Sequence, residues 1–360
     1  MAALSRETGD RMTEPLAFPF AAPPEIGETI EVVAGIFWLR LALPFRLDHV
    51  NVYLIEDGDG FAVIDTGIGD ARTEAIWQTL LDGILRDRPI TRIVATHFHP
   101  DHSGMVGWLT DRTRAPVLMS QAEYLTSLVI RLDPDALDDE PYRSFYRHHG
   151  LDEATTASLL TSGNRYLKML TGLPRTFRRL IAGETLVIGR RRFEVLTGGG
   201  HSLEQVMLHC PEERLLLCAD QVLARISPNI GVSANDPEGD PLGIYLRSLA
   251  ELRRTIPAGT LALPGHNLPF TGLHARIDEL AVHHAQRCAA VLEACHTRSR
   301  TAAELVGVMF KRPLEDAHQM GFAFGETLAH INLLCREERL VGEGGRYRAV
   351  EQRRMAAMSS

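Results

Sequence analysis

"VATHFHPDHSG", residues 94–104, sets His97, His99, Asp101 and His102 within six consecutive positions. The preceding "RIVAT" reads as a buried strand, so the four polar residues lie on the turn that leaves it. In an extended segment His97 and His99, at i and i+2, project to one side, and Asp101 and His102 follow as the chain turns. Neutral imidazole and carboxylate are ligands for zinc and its neighbours, and four of them exceed what one catalytic zinc takes from a protein. A pair of metals accounts for the excess, whereas a solvated polar loop or a helix cap has no use for it.

Around this stretch, short apolar runs alternate with turns. "GIFWLRLALPF", "VNVYLIE" and "FAVIDTG" read as strands, and the "DGDG" between the last two is a hairpin signal. Ile76, Leu80, Leu81, Ile84 and Leu85 recur at helical spacing before "ITRIVATH". Strand, helix, strand is the grammar of an α/β fold. Residues 120–175 then change character and predict a helical insertion, opened by a capping box from Ser120 to Glu123. Strands resume at "LVIG", "RRFEVLTGG", "QVMLHC" and "RLLLCADQVL", with "PEE" as a turn.

After about residue 275 the pattern is helical. A capping box from Thr301 to Glu304 opens its second helix, and the G-G of "LVGEGGRYRAV" marks a terminal hairpin. Three helices and a hairpin predict a winged-helix-like module at 276–350. The expected organisation is thus an N-terminal extension (1–29), a main domain (30–275) holding the insertion, the module, and a tail (351–360).

Composition narrows the function. The 360 residues are 45% hydrophobic with a formal net charge of -8, which argues against a broad grip on nucleic acid or anionic lipid. Residues 276–360 hold twelve Lys or Arg against eleven Asp or Glu, so the module lacks the basic bias of a nucleic-acid reader. A packing or pocket-wall role fits it better. Five cysteines with no C-x-x-C pair fit core thiols rather than a disulfide framework. The acidic, Pro-interrupted start is unlike a signal peptide and no stretch is long enough to span a bilayer, so a cytoplasmic protein acting on a small molecule is expected, with no membrane partner.

"THFHPDHSG" resembles the H-x-H-x-D-H motif of the metallo-beta-lactamase superfamily. The resemblance covers roughly residues 30–270 and implies an αββα sandwich with the site along one edge. In that family the remaining ligands are a histidine ending a later strand, an aspartate after a further strand, and a histidine in a P-G-H turn. They match His201 in "GGGHS", Asp220 in "CADQV" and His266 in "LPGHN". By position, one metal would be held by His97, His99 and His201, the other by Asp101, His102 and His266, with Asp220 bridging. Gly198-Gly199-Gly200 replace the commoner T-P-G before His201, a change that allows a close turn. "DTG", Asp65 to Gly67, matches a turn whose aspartate supports the metal loop, although a simple turn aspartate reads the same way.

The resemblance implies two divalent ions, zinc by default with iron or manganese also suited to the ligands, and a bridging hydroxide as nucleophile, oriented by Asp220 and Asp101. True beta-lactamases of the family generally carry cysteine or serine at the bridging position, so Asp220 points instead to the branch of glyoxalase II, lactonases, thioesterases and phosphodiesterases. The apolar insertion residues Leu125, Leu128, Val129, Tyr166, Leu167, Met169 and Leu170 suit an acyl group, or simply pack the insertion down. The module resembles the tail of a subgroup spanning endoribonucleases and acyl-carrier thioesterases. The expected function is hydrolysis of a small ester or thioester, acyl thioester preferred. The alternatives are a single-strand endoribonuclease or phosphodiesterase, a lactonase, and a non-catalytic binding module, whose signature would have been lost ligands.

Overall fold

The structure is a computed structural model that describes residues 14–133, 140–161 and 165–351. The first thirteen residues of the N-terminal extension, nearly all of the tail and two short pieces of the insertion lie outside the described residues.

Two sheets form the centre. In the first, β1 (Thr29–Val33), β2 (Ile36–Ala42), β3 (His49–Asp57) and β4 (Gly60–Ile64) run antiparallel, and β5 (Ile90–Val94), β6 (Val117–Met119) and β7 (Arg178–Arg179) add in parallel, in that order. The D-G-D-G hairpin joins β3 to β4, with Gly58 in the left-handed region at φ 64°. The second sheet has the order β12-β11-β10-β9-β8, built from β8 (Thr185–Ile188), β9 (Arg191–Gly198), β10 (Gln205–Cys210), β11 (Leu215–Ala219) and β12 (Leu261–Pro264).

Successive side chains on a strand face opposite ways, so a strand buried on both faces feeds two cores. Trp38, Tyr53, Ile55 and Ile64 meet Phe193, Val195, Leu208 and Leu217 between the sheets. Their neighbours Leu39, Val52, Leu54 and Val63 face outward against Trp77 and Leu80 of α1 (Ala71–Asp82) and Leu109 of α3 (Val106–Thr113). On the far side Met207 and Leu216 pack against α8 (Pro241–Thr255) and α9 (Leu273–His296) through Leu242, Leu249 and Ile277. The result is the expected αββα layering. Four of the five cysteines are buried, all five are free, and no helix among the described residues is long and apolar enough to cross a membrane.

The insertion divides between two supports. Its first helix, α4 (Gln121–Leu132), and its last turn, α7 (Arg165–Lys168), lie on the first sheet's side, where Tyr124 stacks on Phe177 at 3.9 Å and Leu128 and Met169 join the core. Leu125 and Val129 stay exposed, so the apolar stripe is only partly a packing face. Helices α5 (Glu140–His148) and α6 (Glu153–Thr161) turn instead to the C-terminal module. Phe145 meets Phe324, and Tyr347 bonds His149 at 2.9 Å.

That module comprises the end of α9, α10 (Ala302–Met309), α11 (Ala317–Arg336) and a small antiparallel sheet of β13 (Arg300–Thr301), β15 (Arg346–Ala349) and β14 (Leu340–Glu343). The Thr301–Glu304 capping box forms as expected, and Gly344 and Gly345 both take positive φ in the hairpin. Leu328 and Leu334 of α11 share one core with Leu242 of α8 and Leu216 of β11.

Candidate metal centre

The seven residues singled out in the sequence stand on four strand ends along one edge of the sandwich. His97 and His99 follow β5, with Asp101 and His102 on the short α2 (Pro100–Ser103); His201 follows β9, Asp220 follows β11 and His266 follows β12. The structure brings all seven together. His99 Nδ1 lies 3.1 Å from His201 Nε2, and His97 and His102 have ring centroids 4.1 Å apart. Asp220 sits between the two groups. Its Oδ1 is 3.5 Å from His102 Nε2, and its Oδ2 is 3.4 Å from His201 Nε2 and 3.2 Å from His266 Nε2. Asp101 Oδ2 is 3.3 Å from His266 Nε2 and 3.6 Å from His102 Nε2.

Sequence expected Gly198-Gly199-Gly200 to allow a close turn, and the packing shows the demand. A Cβ at Gly200, where φ is 103°, would meet Tyr245 at 2.4 Å, and one at Gly199 would meet Ile244 at 2.7 Å. Helix α8 therefore presses the turn that carries His201. Gly265 is tighter still in chemical terms, because a Cβ there would stand 2.3 Å from Asp220 Oδ1 and 2.8 Å from His102 Cε1.

Outer contacts set the direction in which each ring points. His201 Nδ1 donates to the Asn229 carbonyl at 2.8 Å, and His266 Nδ1 donates to the His49 carbonyl at 2.7 Å. Since a carbonyl only accepts, both rings carry a proton on Nδ1 and turn Nε2 inward. Asp65 accepts from His102 Nδ1 at 2.7 Å, from the Thr96 backbone at 2.8 Å and from the Thr96 hydroxyl at 2.9 Å. That hydroxyl in turn accepts from His97 Nδ1 at 2.9 Å. Asp65 thus does hold the metal loop, from a left-handed backbone at φ 61°.

Burial and charge explain the protonation of the set. Desolvation, with the neighbouring imidazoles, holds His97 far below its ordinary value and His99 down at about 3. Burial would also lower His102 and His266, but Asp220 and Asp101 outweigh it, raising His102 and pushing His266 up to about 10. Asp220 and Asp101 stay ionised, since the facing histidines overcome their own burial. The pocket therefore demands positive charge. His97 Nε2, His102 Nε2 and Asp220 Oδ1 are buried without a hydrogen-bond partner, at a cost that a cation among them would remove. Three buried or half-buried triads of donor atoms, His97–His99–His201, His97–His102–Asp220 and Asp101–His102–His266, each lie within 4.8 Å, so the residues fit a pair of divalent ions.

Two supports escaped the sequence reading. Glu123 was expected to close a capping box with Ser120, yet Ser120 makes no side-chain cap bond. The Glu123 carboxylate, fully buried, instead accepts from Phe98 N at 3.0 Å, Ser202 Oγ at 2.6 Å and Glu204 N at 2.6 Å. The P-G-H turn is held from β3. Asn51 Nδ2 and Tyr53 Oη each donate to the Pro264 carbonyl at 2.9 Å, and the Gly265 carbonyl accepts from Asn51 N at 2.7 Å.

Comparison with known proteins agrees with this geometry. The family model described as metallo-beta-lactamase superfamily matches residues 45–266, and a second, described as metallo-beta-lactamase-like, C-terminal domain, matches residues 288–351. The chain is 24% identical over 306 residues to "Probable metallo-hydrolase YqjP" of Bacillus subtilis (strain 168), covering 83% of this chain and 92% of that protein. It is 27% identical over 198 residues to the acyl-coenzyme A thioesterase MBLAC2 of Bos taurus, covering 52% of this chain and 63% of the thioesterase. The crystal structure of a beta-lactamase domain protein from Burkholderia ambifaria superposes with a TM-score of 0.85 at 37% identity, over 93% of this chain and 98% of that one. With all seven converging side chains inside the matched segment and a related structure spanning nearly the whole fold, this chain belongs to the metallo-beta-lactamase superfamily of hydrolases.

Proposed function

We propose that this metallo-hydrolase is a dinuclear enzyme that cleaves acyl thioesters. The observation that carries the dinuclear part is the Asp220 carboxylate, which lies 3.4 Å from His201 of one group and 3.5 and 3.2 Å from His102 and His266 of the other. Two divalent ions held by His97, His99, His201 and by Asp101, His102, His266, with Asp220 between them, would supply Lewis acidity toward the carbonyl oxygen and a nucleophile at neutral pH. Zinc suits this histidine-rich set, and iron or manganese would fit the same donors.

The chain's own residues do the rest. Asp101 is the most open of the three carboxylates at the site, with 19% of its side chain exposed against 7% for Asp220 and 4% for Asp65. It is therefore the group placed to take up the proton released as the nucleophile adds. The ring nitrogens of His97, His102, His201 and His266 that point away from the centre are all committed to oxygen acceptors. A site with its imidazoles so occupied favours a leaving group that departs without a proton. A thiolate, with an ordinary thiol pKa of about 8.5, does so far more readily than an alkoxide. The acyl-coenzyme A thioesterase name of one relative supports the same class. The balanced charge of the C-terminal residues gives single-stranded RNA no matching support.

The test is a side-by-side assay of the metal-loaded protein on acyl-CoA thioesters, simple lactones and single-stranded RNA. The proposal expects kcat/KM to be highest for the thioesters. Preferred cleavage of RNA or of lactones would replace the substrate class while leaving the family unaffected.

A further inference from the structure

A second buried cluster lies outside the metal centre, where α9 and α11 cross. His284, Glu326 and His330 are all buried, and their donor atoms come within 4.8 Å of one another. The arrangement looks like a ligand set, but its facing atoms are largely paired within the protein, with His284 Nε2 left buried without a hydrogen-bond partner. His330 Nδ1 donates to the Glu326 carbonyl at 2.8 Å, leaving its Nε2 to accept from His284 Nδ1 at 3.1 Å. The Arg287 guanidinium pairs with Glu326, so the positive charge this carboxylate needs comes from the protein itself. The free oxygen of Glu326 points elsewhere, toward the segment that orients His201.

That segment is residues 229–232. Its Asn229 carbonyl accepts the His201 Nδ1 proton, while the Asn229 side chain donates to the Phe322 carbonyl of α11 at 3.3 Å and faces Glu326 Oε2 at 3.5 Å. Three residues on, Val232 N donates to the Gly325 carbonyl at 3.0 Å. The segment is therefore strapped to α11 at two points, one of them the residue that aims the ring. We propose that Asn229 and Glu326 are positioning residues, through which helix α11 of the C-terminal module holds His201 with its Nε2 toward the metal centre. The module is then a part of the metal site's support rather than an appended unit. This inference rests on His201 being a metal ligand.

The experiment is a cobalt(II) titration of the metal-depleted full chain, read by visible absorption and by chelator competition, on the parent chain, Asn229→Ala, Asn229→Asp, Glu326→Gln and Tyr347→Phe. Outer contacts of metal-bound histidines are worth about 10–100-fold in metal affinity. Asn229→Ala should weaken one of the bound equivalents about 10-fold, at the low end of that range. Asn229→Asp should weaken it more, since a carboxylate there meets the Phe322 carbonyl and Glu326. Glu326→Gln, which keeps an acceptor for Asn229, should show the smallest loss of the three. Tyr347→Phe removes a different module contact, the bond to His149, and should lower thermal stability without moving either affinity. Cobalt bound by the Asn229 variants as tightly as by the parent chain, with only their stability lowered, would overturn the positioning role and leave the dinuclear reading standing. A parent chain that binds no cobalt would overturn both.

Discussion

The Glu123 carboxylate accepts from the Phe98 backbone at 3.0 Å through one oxygen, and from Ser202 and Glu204 through the other. Phe98 lies between His97 and His99, and Ser202 and Glu204 directly follow His201, so one side chain ties the two histidine-bearing loops together. Glu123→Gln keeps the carbonyl oxygen for Ser202 and Glu204 but turns an amide NH2 toward the Phe98 N–H. Donor then faces donor in a buried place, which costs about 1–3 kcal/mol. Urea unfolding should show that loss, with a lower metal content at limiting metal. An unfolding midpoint and a metal content equal to the parent chain's would show that Glu123 is not a strut.

Gly265→Ala asks whether the space at the centre is needed. Its new Cβ would stand 2.3 Å from Asp220 Oδ1, and the carboxylate has no free direction in which to retreat because its other oxygen faces His201 and His266. The variant should keep a parent-like far-ultraviolet circular dichroism spectrum and lose most of its bound metal and activity. Full metal occupancy in Gly265→Ala would contradict the placement of Asp220 between two ions.

The acyl preference is tested at the insertion. Leu167 and Leu170 are half-buried and follow Tyr166, whose hydroxyl donates to the Phe98 carbonyl at 2.6 Å beside the ligand loop. If they receive an acyl chain, each buried methylene contributes about 0.8 kcal/mol, roughly fourfold in kcat/KM. Replacing both with alanine should flatten the dependence on chain length and spare short substrates and metal content. An equal loss on every substrate, with a fall in Tm, would assign the two leucines to packing alone.

Acid should loosen the C-terminal module and its junction with the insertion. Burial holds His149 at about 4 and His330 at about 4. Both lie below the unfolded value of about 6.5, so the unfolded chain takes up these protons first as pH falls. The stability they contribute is complete above about pH 6.5 and is lost on descending toward pH 4. Thermal melts of the loaded protein should therefore show Tm falling through that window, with a shallower slope in His149→Gln. Release of metal in acid affects both proteins alike, so identical slopes would contradict the assignment to His149.

The candidate ligands were legible by two routes: His97, His99, Asp101 and His102 crowd one turn after a strand, whereas His201, Asp220 and His266 are matched, in order and at strand ends, through the family resemblance. Asp65 was legible by the second route, though its turn reads equally well without a metal loop behind it. Glu123 was misread because its distance from Ser120 is that of a capping box, and nothing local distinguishes a carboxylate that folds back on its helix from one that reaches across to another loop. Asn51 and Tyr53 gave no signal, since they act on Pro264, more than two hundred residues away in the chain. The division of the insertion, with Leu128 packed and Val129 exposed, also follows from partners distant in sequence. The strap from α11 to Asn229 is of the same kind, set by how the module docks rather than by any motif.

The central claim is that Asp220 joins two metal sites in one hydrolytic centre, and a metal titration of activity tests it most directly. Metal-depleted protein is given increasing zinc, with bound metal measured by elemental analysis and thioester hydrolysis measured on the same samples. The account predicts uptake and activity that both break at two equivalents per chain, and an Asp220→Ala variant that retains less than two and hydrolyses little. Full activity reached at a single equivalent, with no second ion bound at higher zinc, would contradict it.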